Sequence, residues 1–235
     1  MSRARIATGV VAVGIGAAAF AGLADAATEG DDLAAFDPHL TGTFVSHRID
    51  ELTPLVRAIT FLGEIPVLTG LTIIAALILR AGTHRWRPAL ILIVGMLGAA
   101  GLTYGFKVLI GRHRPDSSIV VGTVSTGFSF PSGHSLSSLV FFSLLAALLW
   151  YSNAFLVTKL AGTALALLLS AAVGLSRVYL GYHWATDVLA GWTLALTWLA
   201  LLATVLGVIR LWREPSDASR TRQPAESARR AQSGR

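Results

Sequence analysis

The chain has no cysteine. That excludes disulfides, thiolate nucleophiles and any metal site built on cysteine. Charge is scarce as well. Asp, Glu, Lys and Arg make up 14% of the 235 residues, against roughly 25% in an ordinary soluble domain. Apolar residues take their place: 54% of the chain is hydrophobic and mean hydropathy is +0.64. The deficit points to a membrane protein. The net charge of +6 does not imply a nucleic-acid partner, because seven arginines fall in the last 26 residues, from Arg210 to Arg235. That position suits a juxtamembrane tail. No internal repeat is present, and little mass lies outside the apolar runs.

A membrane span needs roughly 20 mostly apolar residues. Ile6–Leu23, Ile65–Leu79, Pro88–Phe106, Leu136–Thr158, Leu160–Ser176 and Val188–Ile209 qualify. The expected fold is all-α, a polytopic membrane helix bundle of about six transmembrane helices. Tyr151-Ser152-Asn153 supplies a turn, and Lys159 is the only charge between the fourth and fifth runs. Three regions are expected. Residues 1–53 carry the first span and an acidic extracytoplasmic segment, 54–212 form the core, and 213–235 are a basic disordered tail. The first apolar run, flanked by Arg3 and Arg5 and followed by Ala24-Asp25-Ala26, also fits a secretory signal.

Positive charge in short loops sets orientation. Arg3 and Arg5, the loop with Arg80, Arg85 and Arg87, Lys159 and the Arg-rich tail all fall on one side of a six-span chain. That side is expected to be cytoplasmic, in a multi-pass plasma-membrane protein. Most carboxylates fall on the other side, including Asp25, Asp37, Asp50 and Glu64. So do three polar islands, which carry cations against the bias and need a reason for it.

The first island holds Lys107 and Arg114-Pro115. Both side chains offer only hydrogen-bond donors, which suits phosphate oxygens, and Arg can bind two at once. Gly111 and Pro115 argue against helix beyond about Ile110. Arg112 fits snorkelling to headgroups better than anion binding. The second island, Pro131-Ser132-Gly133-His134, precedes an apolar run. A turn entering a helix there presents unpaired backbone N–H groups at a positive dipole end, which is an anion site. Ser132 either caps the helix or donates to the anion, and His134 can act as a general acid. In the third island, Ser176-Arg177 precedes His183 and Asp187. The last two are four apart, so a carboxylate can fix one imidazole nitrogen and leave the other exposed. Arg177 adds another clamp. Each island alone also fits a plain structural role: snorkelling, an N-cap, a solvated His–Asp pair.

Together the islands read Lys-x6-Arg-Pro, Pro-Ser-Gly-His and Ser-Arg-x5-His-x3-Asp, in order and without substitution. In this the chain resembles the type 2 phosphatidic acid phosphatase superfamily, which includes vanadium-dependent haloperoxidases. The resemblance spans about residues 54–210. It implies catalytic roles for His183 as nucleophile, Asp187 as its partner and His134 as acid. It implies phosphate binding by Lys107, Arg114, Ser132, Gly133 and Arg177. It implies no metal or cofactor, and Asp116 and Asp187, the only carboxylates near the islands in sequence, are too few for a two-metal site. The expected substrate is a lipid phosphate or diphosphate. A vanadate-dependent peroxidase and a non-catalytic lipid-binding membrane protein are the competing readings.

Overall fold

A computed structural model describes residues 3–29, 31–124 and 126–213. The basic tail from residue 214, expected to be disordered, lies outside the described residues. Among them are eight α-helices: α1 Arg3–Glu29, α2 Asp37–Ser46, α3 Thr53–Phe61, α4 Ile65–Thr83, α5 Trp86–Ile110, α6 Gly133–Trp150, α7 Leu156–Tyr179 and α8 Ala185–Arg213. Six of them, α1 and α4 to α8, are long and apolar enough to cross a membrane. The shortest, α6 at 18 residues, reaches about 27 Å at 1.5 Å per residue, close to a hydrocarbon core of about 30 Å.

These helices alternate in direction, so the loops bearing the three islands gather at one end of the bundle. The short basic connection between α4 and α5 lies at the other. α6 is the central helix, packed against α4, α5, α7 and α8. Its Leu136, Leu139, Val140, Phe141 and Leu144 are buried. Outward faces carry Ile73, Leu77, Leu97, Leu165 and Leu168 in the open, as acyl-chain contact requires. With lipid as solvent, burying apolar surface does not drive such helices together, and close packing does. Gly9 and Gly16 of α1, two turns apart, sit against Thr204 and Thr197 of α8 so closely that an added Cβ would lie 2.1 and 2.2 Å from their hydroxyls. The first apolar run therefore packs as a member of the bundle. Phe20 of α1 stacks edge-on with Phe106 at 4.6 Å and tilts against Phe130 at 5.7 Å.

Two boundaries differ from expectation. The fourth apolar run extends through Thr158 in sequence, but α6 stops at Trp150 and the Tyr151–Asn153 turn ends it. Lys159 then lies within α7, its ammonium over the Trp150 ring at 6.0 Å. The acidic segment after α1 forms the 3-10 turn Asp32–Phe36 and helices α2 and α3. It is tied down to the bundle: Arg48 donates to the Tyr179 carbonyl at 2.7 Å, and the Tyr179 hydroxyl donates to the Ile49 carbonyl at 3.1 Å.

Candidate active site

α5 ends as its glycine suggested. Gly111 takes a left-handed φ of +66° and its N–H donates to the Lys107 carbonyl at 3.1 Å, a common helix C-terminal cap. The chain then turns, so Lys107 and Arg114 approach the same loop from different directions. Lys107 Nζ donates to the Phe128 and Ser129 carbonyls at 2.5 and 3.1 Å. Arg114 donates to the Gly127, Phe128 and Tyr182 carbonyls at 3.0, 3.2 and 2.8 Å. Burial lowers the Arg114 pKa and the charge of Asp187 opposes that shift. A cavity of about 260 Å³, lined in part by Arg114, Ser117, Val120 and Tyr182, opens beside this guanidinium.

The second island is fixed by both neighbours. Ser129 N donates to the Arg112 carbonyl at 2.8 Å and Ser132 N to the Asp187 carbonyl at 3.0 Å. Ser132 is the N-cap of α6, its hydroxyl oxygen accepting from Ser135 N and Oγ at 3.4 and 2.9 Å. Of the two roles open to it, the structure shows capping. Gly133 and His134 follow as the first helical residues, at the positive end of the helix dipole. The His134 ring lies under the α3–α4 junction, where a Cβ on Gly63 would come within 2.7 Å of it. Among the described residues, no hydrogen-bond partner reaches His134 Nε2. The Glu64 carboxylate, half exposed, stands 3.4 Å from it.

The third island supplies the most ordered pair. His183 Nδ1 lies 3.1 Å from Asp187 Oδ2, and that oxygen also accepts from Trp184 N at 3.0 Å. A carboxylate acceptor on Nδ1 places the proton there. Nε2 then carries the lone pair, facing the Arg114 guanidinium at 3.3 Å. Burial first, then Arg177, Arg114 and Lys107, push the His183 pKa well below its ordinary value. Arg177 is itself buried, donating to the Thr60 hydroxyl at 2.9 Å and stacked on the Tyr182 ring at 4.0 Å. Its Nε has no hydrogen-bond partner among the described residues. Arg177, Arg114 and Lys107 act electrostatically on both His183 and His134. All three islands thus meet in one cluster.

Several residues here were not singled out by sequence. Arg112, read as a snorkelling cation, is nearly buried and bridges two carboxylates, Asp37 and Asp187, at 2.8 Å each. Asp37 arrives from α2 and Glu64 from the start of α4, so the carboxylates near the site are not limited to Asp116 and Asp187. Asp116 instead caps the short 3-10 turn Ser117–Ile119, where the Ser118 N–H holds its carboxyl below the usual range. The signal for Asp37 was faint: an acid before proline, between Phe36 and Leu40, marks a helix start and says nothing of its distant partner. Three aromatic residues beside the islands take different places. Phe130 is fully buried in the core. Tyr182 stacks on Arg177, and the Trp184 indole N–H donates to the His113 carbonyl at 3.0 Å.

Comparison with known proteins fits this arrangement. Phosphatidylglycerophosphatase B of Bacillus subtilis (strain 168) is 35% identical over 146 residues, 62% of this chain and 70% of that protein. Decaprenylphosphoryl-5-phosphoribose phosphatase of Mycobacterium tuberculosis (strain ATCC 25618 / H37Rv) is 30% identical over 153 residues, 64% of this chain and 78% of that protein. The crystal structure of a transmembrane PAP2 type phosphatidylglycerolphosphate phosphatase from Bacillus subtilis superposes with a TM-score of 0.76 at 28% identity, covering 84% of this chain and 96% of that one. Residues 88–210 match the PAP2 superfamily, and with three intact polar islands gathered at one end of a helical membrane bundle, the chain belongs to that superfamily.

Proposed function

We propose that this chain is an integral membrane phosphohydrolase that removes phosphate from a lipid phosphate or diphosphate, of the phosphatidic acid, phosphatidylglycerophosphate or undecaprenyl diphosphate type. The reaction runs through a phosphohistidine and needs no metal. The observation that carries this reading is the His183–Asp187 pair, with Nδ1 on the carboxylate and Nε2 turned to Arg114. The relatives, named for lipid phosphatase activities, support the substrate class.

In the first half-reaction the His183 Nε2 lone pair attacks phosphorus and the bond to the leaving oxygen breaks. His134 gives that oxygen a proton. The phosphorylated imidazole keeps its Nδ1 proton and becomes cationic, and Asp187 stabilises that charge. Lys107, Arg114, Arg177, the Ser132 hydroxyl and the Gly133 N–H hold the nonbridging oxygens as charge shifts onto them. Arg114 and Lys107 exchange backbone carbonyls for phosphate oxygens on binding. In the second half-reaction neutral His134 takes a proton from water as the water attacks, the P–N bond breaks, and inorganic phosphate leaves.

The site faces away from the cytoplasm. The connection between α4 and α5, with Arg80, Arg85 and Arg87, lies at the opposite end of the bundle, and positive loops are retained inside. The test is phosphate release by detergent-purified protein, with EDTA, from phosphatidic acid, phosphatidylglycerophosphate and undecaprenyl diphosphate. Wild type turns over at least one of them, and acid-labile, alkali-stable label accumulates on the protein. A folded His183→Ala variant loses both. Full activity in that variant refutes the mechanism.

A further inference from the structure

Arg112, which is not counted in the three islands, sits at the centre of a buried network that reaches Asp187 of the third. One guanidinium nitrogen, Nη1, donates to Asp187 Oδ1 at 2.8 Å and to the Thr186 hydroxyl at 2.7 Å. The other, Nη2, donates to Asp37 Oδ2 at 2.8 Å. Asp37 also accepts from Thr186 N at 3.0 Å, through Oδ1, and from the Thr186 hydroxyl. Asp37 and Asp187 are 1% and 0% exposed. Asp37 therefore caps the N-terminus of α8 from a different helix, satisfying a backbone donor that α8 cannot satisfy itself. Asp187 uses one oxygen for His183 and Trp184 N and the other for Arg112.

We propose that Arg112 and Asp37 are positioning residues for the nucleophile: Arg112 holds Asp187 ionised and in the rotamer that orients His183, and Asp37 divides Arg112's charge and anchors it to the N-terminal segment. The assignment rests on the His183–Asp187 reading above. Two features separate it from a generic buried ion pair. The contact falls on the Asp187 oxygen that His183 does not use, so it fixes the carboxylate plane. Asp37 lies before residues 88–210, the stretch matching the superfamily, so this chain couples an N-terminal element to the shared chemistry. The charged and titratable groups that act on Asp187 are Arg112 and His183 in contact with it, Arg114 and Lys107 electrostatically, and Asp37 across the Arg112 guanidinium.

Because Arg112 and Asp37 carry opposite charge, their removal moves activity against pH in opposite directions. In R112Q two buried carboxylates lose their shared cation, so the acidic limb of kcat rises by about one pH unit or more. In D37N Arg112 serves Asp187 alone and the limb falls. R112K keeps the charge but loses the fork, leaving the limb near wild type with an intermediate kcat. At neutral pH kcat of R112Q drops by roughly tenfold or more, as outer-shell partners do, and KM is unchanged because Arg112 does not touch phosphate.

The assay is full-length protein in detergent with phosphatidic acid, and phosphatidylglycerophosphate as second substrate, with thermal unfolding as the check on folding. Opposite limb shifts with unchanged KM support the proposal. A folded R112Q or D37N with a wild-type limb, shifts of the same sign in these two, or a raised KM at unchanged kcat overturn it. If R112Q does not fold, a lowered limb in D37N together with a reduced kcat at a near-wild-type limb in R112K supports the proposal, and an unmoved or raised limb in D37N or a wild-type kcat in R112K overturns it. Wild type inactive on every lipid tested refutes the phosphatase reading itself, a result separable from active wild type with indifferent variants.

Discussion

Gly191→Ala tests whether the second island is held in place by α8. Gly191 lies on the α8 face against the start of α6, and a Cβ there would meet the Ser132 carbonyl oxygen at 2.7 Å and Ser135 Cβ at 3.0 Å. Ordinary contact begins near 3.4 Å, so the turn must retreat by roughly 0.7 Å. The obstacle is backbone, which has no rotamer to escape into. Overpacking of this kind costs about 1–3 kcal/mol. Alanine returns about 0.5–1 kcal/mol as the better helix former. The net loss of stability is thus only about 0–2.5 kcal/mol.

Catalysis is the more sensitive readout. The displaced atoms belong to Ser132, whose N–H donates to the Asp187 carbonyl, and they carry Gly133 and His134 with them. Misplacement by about 1 Å can cost 10²-fold, so kcat should fall by roughly 10–100-fold while the unfolding midpoint moves by a few degrees. Gly14→Ala is the control, since Gly14 is exposed on α1 with nothing within 4 Å of an added Cβ. It should leave kcat alone and hold or raise the midpoint. The assay is phosphate release from phosphatidylglycerophosphate with EDTA, beside thermal unfolding of the same preparations. Gly191→Ala with kcat within about twofold of wild type would mean that the turn absorbs the methyl without moving the chemistry, and the rigid-placement argument fails.

What could be read from sequence was what is encoded locally. Gly111 ends α5 because a left-handed cap favours glycine, and Ser132 starts α6 because an N-cap favours a short oxygen-bearing side chain. Apolar runs of span length became spans. His183 and Asp187 pair through a four-residue spacing. Arg112 failed by the same logic, because its partners Asp37 and Asp187 are each 75 residues away. A lone arginine at a membrane edge looks like a snorkelling one until those carboxylates are in place. Glu64 was another acid in an acidic segment, and only the Leu62-Gly63-Glu64 junction closing over His134 gives it a neighbour. Lys159 was misplaced because a lysine beside Trp150 in space resembles a lysine in a loop when only hydropathy is counted.

Two further outcomes follow from the histidines. His134→Ala should slow the phosphorylation half-reaction, read as kcat/KM, by roughly 10²–10⁴-fold for a lipid monophosphate, the range of general acid catalysis, but far less for an aryl phosphate, because a phenolate departs without a proton; kcat falls on both, since both share the water attack that His134 assists. Equal losses of kcat/KM on both substrates would remove the acid role. His183 should also make the fold acid-sensitive in a defined direction. Burial and the three nearby cations push its pKa well below 6.5 in the folded chain, whereas the unfolded chain keeps the ordinary value of about 6.5. The unfolded state therefore binds the extra proton as pH falls. The resulting contribution to stability is full above pH 6.5 and is lost below it, at a slope approaching about 1.4 kcal/mol per pH unit, until the folded pKa is reached. Glutamine at 183 does not titrate, so wild type should lose stability relative to His183→Gln between pH 7.5 and 5.5, measured by thermal unfolding in detergent. A difference independent of pH over that range would mean the imidazole titrates alike in both states, and the burial and cation cluster around Nε2 would then not govern its protonation.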